Sequence, residues 1–260
     1  MRVQFGTPPD FFIDTGQTWG HPIYDWTEHK KDNYQWWTSR IAHLFERMDI
    51  IRIDHFNGFA KYWEVPAEDK NGTRGKWVDG PGKSLFNAIM ARVGPKPILA
   101  EDLGEASEDA AVLRNEYGIP GMKILQMSFG NGIPFESVTE NTVVYTGTHD
   151  NDTSLGWYTA TPGIGSTQSN SEIENERYHA KTILNLNGQD IHWRMIEYSL
   201  NSKANTAIIP LQDILGLGSS ARMNTPGTVG GNWEWRFNQA HLNDGIKHRL
   251  KKLTKETQRI

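Results

Sequence analysis

Five short runs of apolar, largely β-branched residues, separated by stretches of helical period, constrain this chain more than any other feature. They are residues 50–53, 97–100, 121–126, 142–148 and 206–211. Apolar spacing places helices over about 34–48, 82–93, 107–117, 172–186, 190–203, 213–217 and 242–257. Continuous apolar strands alternating with helices predict a parallel sheet covered by helices. Three of the five runs end on polar clusters: Arg52 with Asp54, Glu101 with Asp102, and His149 with Asp150. In a closed (β/α)8 barrel, functional groups sit at the C-terminal ends of several strands. Open doubly wound sheets also bind there, but they favour a G-x-G-x-x-G turn, which this chain lacks. The expected fold class is therefore α/β, of the (β/α)8 TIM-barrel type.

Charge is balanced, 27 basic against 31 acidic residues, with no basic block. Neither nucleic-acid binding nor membrane-surface binding has electrostatic support. With no cysteine, disulfides and thiolate metal sites are excluded. The start, Met1 to Gly6, has no apolar signal core, and no run approaches membrane-spanning length, so a cytoplasmic protein is expected. Residues 6–26 interleave Pro and Gly with aromatics and show neither helical nor alternating period, which reads as an ordered loop. Residues 160–170 read as a flexible connection, and 222–237 as a Gly-rich loop with three aromatics.

The polar clusters point to a chemistry. Alternate strand residues share a face, so Arg52 and Asp54 project together while Ile53 and His55 point away. A guanidinium beside a carboxylate orients it and favours its charged form, as a covalent catalyst requires. The plainer reading is an Arg–Asp pair that pins a strand to its loop. Glu101 follows Ile98-Leu99-Ala100, so less polar surroundings should raise its pKa and suit it to donate a proton. It could equally cap the next helix. A carboxylate nucleophile with a carboxylic acid makes a retaining glycoside mechanism, with His149 and Asp150 on the sugar hydroxyls. The competing class is a metal hydrolase using His55, Glu101, His149 and Asp150. Against it, no pair shows H-x-H or H-E-x-x-H spacing. No metal and no cofactor are expected.

Several longer motifs carry a resemblance. R-I-D-H-F, G-F-A-K-Y-W-E-V-P-A, A-E-D-L-G, G-M-K-I-L-Q and Y-T-G-T-H-D-N-D-T occur in order. The opening P-P-D-F-F-I-D-T-G-Q-T-W-G-H-P-I-Y-D-W and the late Q-D-I-L-G-L-G-S-S-A-R-M-N-T-P-G-T-V-G-G-N-W-E-W-R-F extend the pattern. The whole chain resembles the amylomaltases, the 4-α-glucanotransferases of glycoside hydrolase family 77. The resemblance implies transfer of α-1,4-glucan segments between maltooligosaccharides through a covalent intermediate. It implies Asp54 as nucleophile, Glu101 as general acid/base and Asp150 as transition-state stabiliser, with Arg52 and His149 on the reacting sugar. Asp10, Gln17 and Trp19, on the 6–26 loop, would face the acceptor, whereas Trp233, Trp235 and Arg236 are read as structural.

One departure stands out. The family carries a long portion before the P-P-D loop, so this chain resembles the C-terminal part, with about five of eight barrel strands. Residues 1–260 are then expected to be one portion of a single catalytic barrel domain, with exposed edges that favour self-association. The alternative is a catalytically inactive fragment that retains glucan binding at most.

Overall fold

In a computed structural model, residues 2–9, 13–104, 106–130, 135, 138–160, 169–187 and 190–259 are described. They divide into two compact units, Met1–Met122 and Lys123–Ile260.

In chain order the first unit holds β1 (Val3–Thr7), β2 (Gln17–Pro22), α1 (Trp26–Lys31), α2 (Gln35–Phe45), β3 (Ile51–Ile53), α3 (Asn57–Ala60) and β4 (Lys61–Pro66). It continues with β5 (Lys76–Asp79), α4 (Gly82–Val93), β6 (Ile98–Ala100) and α5 (Ser107–Glu116). Strands β3 and β6 pair in parallel, Ile51 with Ile98, Arg52 with Leu99 and Ile53 with Ala100. Their helices bury Trp37, Ile41, Leu85, Phe86 and Ile89 around Ile51, Ile98 and Phe56. Trp26 and Trp37 pack on each other and on Phe59 in this core.

The 6–26 stretch differs from its expectation as a loop. It takes in the last two residues of β1, all of β2 and the first residue of α1, with loop among the described residues between them, and β1 sits inside an antiparallel sheet ordered β2-β1-β4-β5. The β1 strand pairs with β4 nearly sixty residues away, Phe5 with Glu64 and Gly6 with Trp63. Such distant ladder bonds leave no local period, and Gly and Pro within the strands hide what alternation there is. At Gly16 the backbone is left-handed (φ 66°), and a Cβ would stand 2.5 Å from the Thr7 carbonyl oxygen, so the β1–β2 turn requires glycine. Two elements are shorter than their apolar spacing suggests. Met48 and Ile50 are exposed, because α2 ends at Phe45 and β3 starts only at Ile51.

The second unit, with the strand that leads into it, holds β7 (Gly121–Ile124), β8 (Thr142–Tyr145), α6 (Ser154–Thr159), α7 (Asn170–Ile183), α8 (Ile191–Leu200), β9 (Thr206–Ile208), α9 (Leu211–Ile214) and α10 (Asp244–Glu256). Its sheet is ordered β7-β8-β9, with β8 and β9 parallel. Each of the five expected runs thus contains a strand. Helix α7 opens on a full capping box between Ser169 and Glu172. The amphipathic α10 lays Ile246, Leu250 and Leu253 against Trp193, Ile196 and Leu200. The expected connection near 160–170 lies mostly outside the described residues. No helix among the described residues is long and apolar enough to cross a membrane.

Candidate active site

In the first unit the parallel register sets the geometry. Ile53 opposes Ala100, and the Glu101 amide donates to the Ile53 carbonyl at 2.9 Å. Asp54 and Glu101 are therefore the next residues on neighbouring strands, whose axes lie about 4.8 Å apart. Arg52 Nη1 donates to Asp54 Oδ1 at 2.6 Å, as the shared strand face requires. The Asp54 carboxylate is oriented yet open, its side chain 75% exposed.

Glu101 is held quite differently. Its Oε2 accepts the His55 amide at 2.8 Å and its Oε1 accepts the Leu103 amide at 3.0 Å. Burial nonetheless keeps its pKa above the ordinary carboxylate value, outweighing those two bonds; the charge on Asp54 pushes the same way and Arg52 opposes it. The raised acid expected from Ile98-Leu99-Ala100 is present. Its neighbour Asp102 is buried, bonded by Arg114 Nε at 2.6 Å and by the Met122 amide at 2.9 Å. That carboxylate anchors α5 and takes no part in the open face.

Beside this pair stands the β2 strand. Gln17 and Trp19, two residues apart, share a face, and the indole Nε1 donates to Gln17 Oε1 at 3.1 Å. The Trp19 ring is 36% exposed and lies edge-on to the His55 ring, with centroids 5.0 Å apart. His55 therefore does not lie idle on the far side of the strand. Its pKa is lowered by burial, against the pull of Asp54. Asp10, Phe11 and Phe12 lie outside the described residues.

In the second unit, His149 and Asp150 follow β8. His149 Nε2 lies 3.3 Å from Asp150 Oδ2, and Asn224 Nδ2 donates to Asp150 Oδ1 at 2.6 Å. Arg222 binds the Asp150 carbonyl at 2.7 Å and the Asn224 carbonyl at 2.8 Å. Asn151 and Asp152 are structural: Asn151 closes the turn on Thr148, and Asp152 accepts the Ser219 hydroxyl at 2.6 Å. A cavity of about 170 Å³ opens here, lined by His149, Asp152, Asp213, Arg222 and Trp233 among others. Trp233, expected to be structural, stands beside His149. Its left-handed backbone (φ 65°) lays the ring against His149 at 5.1 Å, with 55% of it exposed. Arg236 donates to the Trp233 and Trp235 carbonyls. Sequence reasoning misses Arg222 and Asn224 because nothing in R-M-N-T-P marks them. Only the fold brings them to Asp150, more than seventy residues earlier.

Among the described residues no three His, Asp or Glu side chains come together as a metal site.

The family model described as 4-alpha-glucanotransferase, glycoside hydrolase family 77, matches residues 1–242. The chain belongs to that family. It is 44% identical over 259 residues to the 4-alpha-glucanotransferase of Synechocystis sp., covering 96% of this chain and 48% of the relative. To the chloroplastic/amyloplastic 4-alpha-glucanotransferase of Arabidopsis thaliana it is 47% identical, covering 93% and 41%. To the Thermus thermophilus 4-alpha-glucanotransferase it is 40% identical, covering 99% and 52%. The chain thus spans about half the length of the curated relatives it matches. Among solved structures, an amylomaltase from Streptococcus agalactiae in complex with acarbose superposes with a TM-score of 0.89 at 35% identity, covering 99% of this chain and 51% of that one. The Corynebacterium glutamicum amylomaltase, at 18% identity, covers 97% and 42% with a TM-score of 0.78, a likeness of fold. The α/β architecture is that of this glycoside hydrolase family.

Proposed function

We propose that the chain carries the reacting carboxylates of a retaining 4-α-glucanotransferase acting on maltooligosaccharides and other α-1,4-glucans. The observation that carries this reading is the pairing of Asp54 and Glu101 in adjacent parallel register. One carboxylate is open and oriented by Arg52; the other is half-buried, with a raised pKa. Asp54 attacks the anomeric carbon while Glu101 delivers its proton to the departing glycosidic oxygen. The same Glu101, now ionised, takes the proton of an incoming sugar 4-hydroxyl as that oxygen displaces Asp54. Asp150, oriented by Asn224, supports the positive charge of the transition state, and His149 and Arg52 bind the reacting sugar. Gln17 and Trp19 form the acceptor platform, and Asp10 is assigned the role of an acceptor contact. A solved relative holding acarbose fits an oligosaccharide site.

The five parallel-type strands are assigned to one (β/α)8 barrel, so that residues 1–260 belong to a single catalytic domain. The test is direct. The purified chain is incubated with maltotriose, and glucose and longer glucans are followed by chromatography. Redistribution of chain lengths is expected, and Asp54→Asn should abolish it. Redistribution that survives Asp54→Asn would overturn the assignment, as would none from the wild-type chain.

A further inference from the structure

The residue after the proposed nucleophile is neither a nucleophile nor a sugar contact in the proposed reaction, yet its geometry is unusual. His55 is a non-glycine residue in the left-handed region, with φ 48°. Such backbones persist where surrounding structure holds them, and they cluster at functional sites. Phe56, next along, is right-handed (φ −56°, ψ −29°). A left-handed residue followed by a right-handed one turns successive amides toward one side, a concavity that binds anionic oxygens. Here both amides converge on a single residue. The His55 amide donates to Glu101 Oε2 at 2.8 Å and the Phe56 amide to the Glu101 carbonyl at 2.9 Å. The turn also lets the chain leave β3 and enter α3 at once, where Asn57 Nδ2 donates to the Leu103 carbonyl at 2.6 Å. That bond braces the residue whose own amide caps Glu101 Oε1. The His55 ring is clamped in turn: Trp19 meets it edge-on, and a Cβ built on Gly58 would stand 3.2 Å from its Cδ2.

We propose that His55 is the positioning residue of the acid/base: its left-handed backbone aims its amide at the Glu101 carboxylate while the next amide holds the Glu101 carbonyl. This rests on the role proposed for Glu101 and specifies how that side chain is kept in place. The nucleophile's strand thus ends in a cradle for its partner, so the two carboxylates are set by one short segment, 52–57. Asp54, Arg52 and the His55 and Leu103 amides are the charged and polar groups bearing on the Glu101 carboxyl, and of these amides only that of His55 sits on a left-handed backbone.

The test uses the full chain labelled with carbon-13 at glutamate carboxyls, the Glu101 signal being identified by its loss in Glu101→Gln. His55→Val cannot adopt the left-handed turn, so the amide leaves Oε2 and the Glu101 titration midpoint should move upward. His55→Asn tolerates the turn and should keep the wild-type midpoint. If the valine chain does not fold, His55→Ala against His55→Gly makes the same comparison, with alanine raised and glycine unchanged. Equal midpoints within either pair would overturn the proposal. The readout needs no turnover, so a chain inactive on maltotriose would sink the functional reading while the order of midpoints still decides this one.

Discussion

Asp213 shows how one buried acid couples this fold to pH. Its Oδ2 accepts the Thr146 hydroxyl at 2.6 Å and its Oδ1 the Ser154 amide at 2.7 Å, tying the end of β8 and the start of α6 to α9. Burial nevertheless holds its pKa above the ordinary 3.8, with those bonds opposing the shift. The folded chain then grips this proton more tightly than the unfolded chain does. The stability it lends is complete below the unfolded pKa and is lost as pH rises through the folded one. Asparagine can keep both bonds, accepting from Ser154 and donating to the Thr146 oxygen. Asp213→Asn should therefore match the wild type in melting temperature near pH 4 and exceed it at neutral pH. Calorimetry across that range checks this, and a variant less stable at neutral pH would show that the charge itself is needed. Asn224 bears instead on the role proposed for Asp150, whose Oδ1 it holds at 2.6 Å. Asn224→Ala removes the amide on Asp150 Oδ1, and misplacement of that carboxylate should lower kcat about 10- to 100-fold with little change in KM. A rise in KM alone would mark Asn224 as a sugar contact.

At the scale of elements, the β1–β2 hairpin is where an apparent loop proves to be sheet. Trp19 sits on β2, the strand beside β1 in a four-stranded sheet, and it touches the ring of His55. Under the proposed mechanism, a platform so placed would hold an acceptor sugar and favour its 4-hydroxyl over water in releasing Asp54. Trp19→Ala should then lower transfer more than hydrolysis. The measure is the ratio of free reducing ends to redistributed chains from maltotriose, expected to rise several-fold. An unchanged ratio with lower activity would make the indole a brace for His55 alone. The parallel strands β3 and β6 were legible because Ile51 and Ile98 are β-branched and buried. The hairpin was not, because Gly16, Gly20 and Pro22 interrupt it and its ladder partner lies on β4.

For the molecule as a whole, the stereochemistry of the reaction is the decisive quantity. The proposed reaction is a retaining one, for which the two carboxyls stand about 5–5.5 Å apart. The first product from maltotriose should therefore be α-configured at its new linkage, as proton NMR of the anomeric signal reads within the first turnovers. A β-configured product would require an inverting site and a different role for Asp54. What the sequence determined by itself was local: where β-branched runs stop, and that Arg52, Asp54, Glu101, His149 and Asp150 sit where they stop. Strand alternation alone puts Arg52 beside Asp54, and an apolar run before Glu101 is enough to foresee its raised pKa. Only the tertiary structure decided which acids stay open and which are consumed. Asp102 and Asp152 stand in the same clusters as Glu101 and Asp150, yet Arg114 and Ser219 bind them. It also decided that Asn224, Arg222 and Trp233 surround the His149–Asp150 turn, and that His55 leaves its strand to cup Glu101. Those outcomes depend on hydrogen bonds between residues tens of positions apart, whose partners carry no periodic signal.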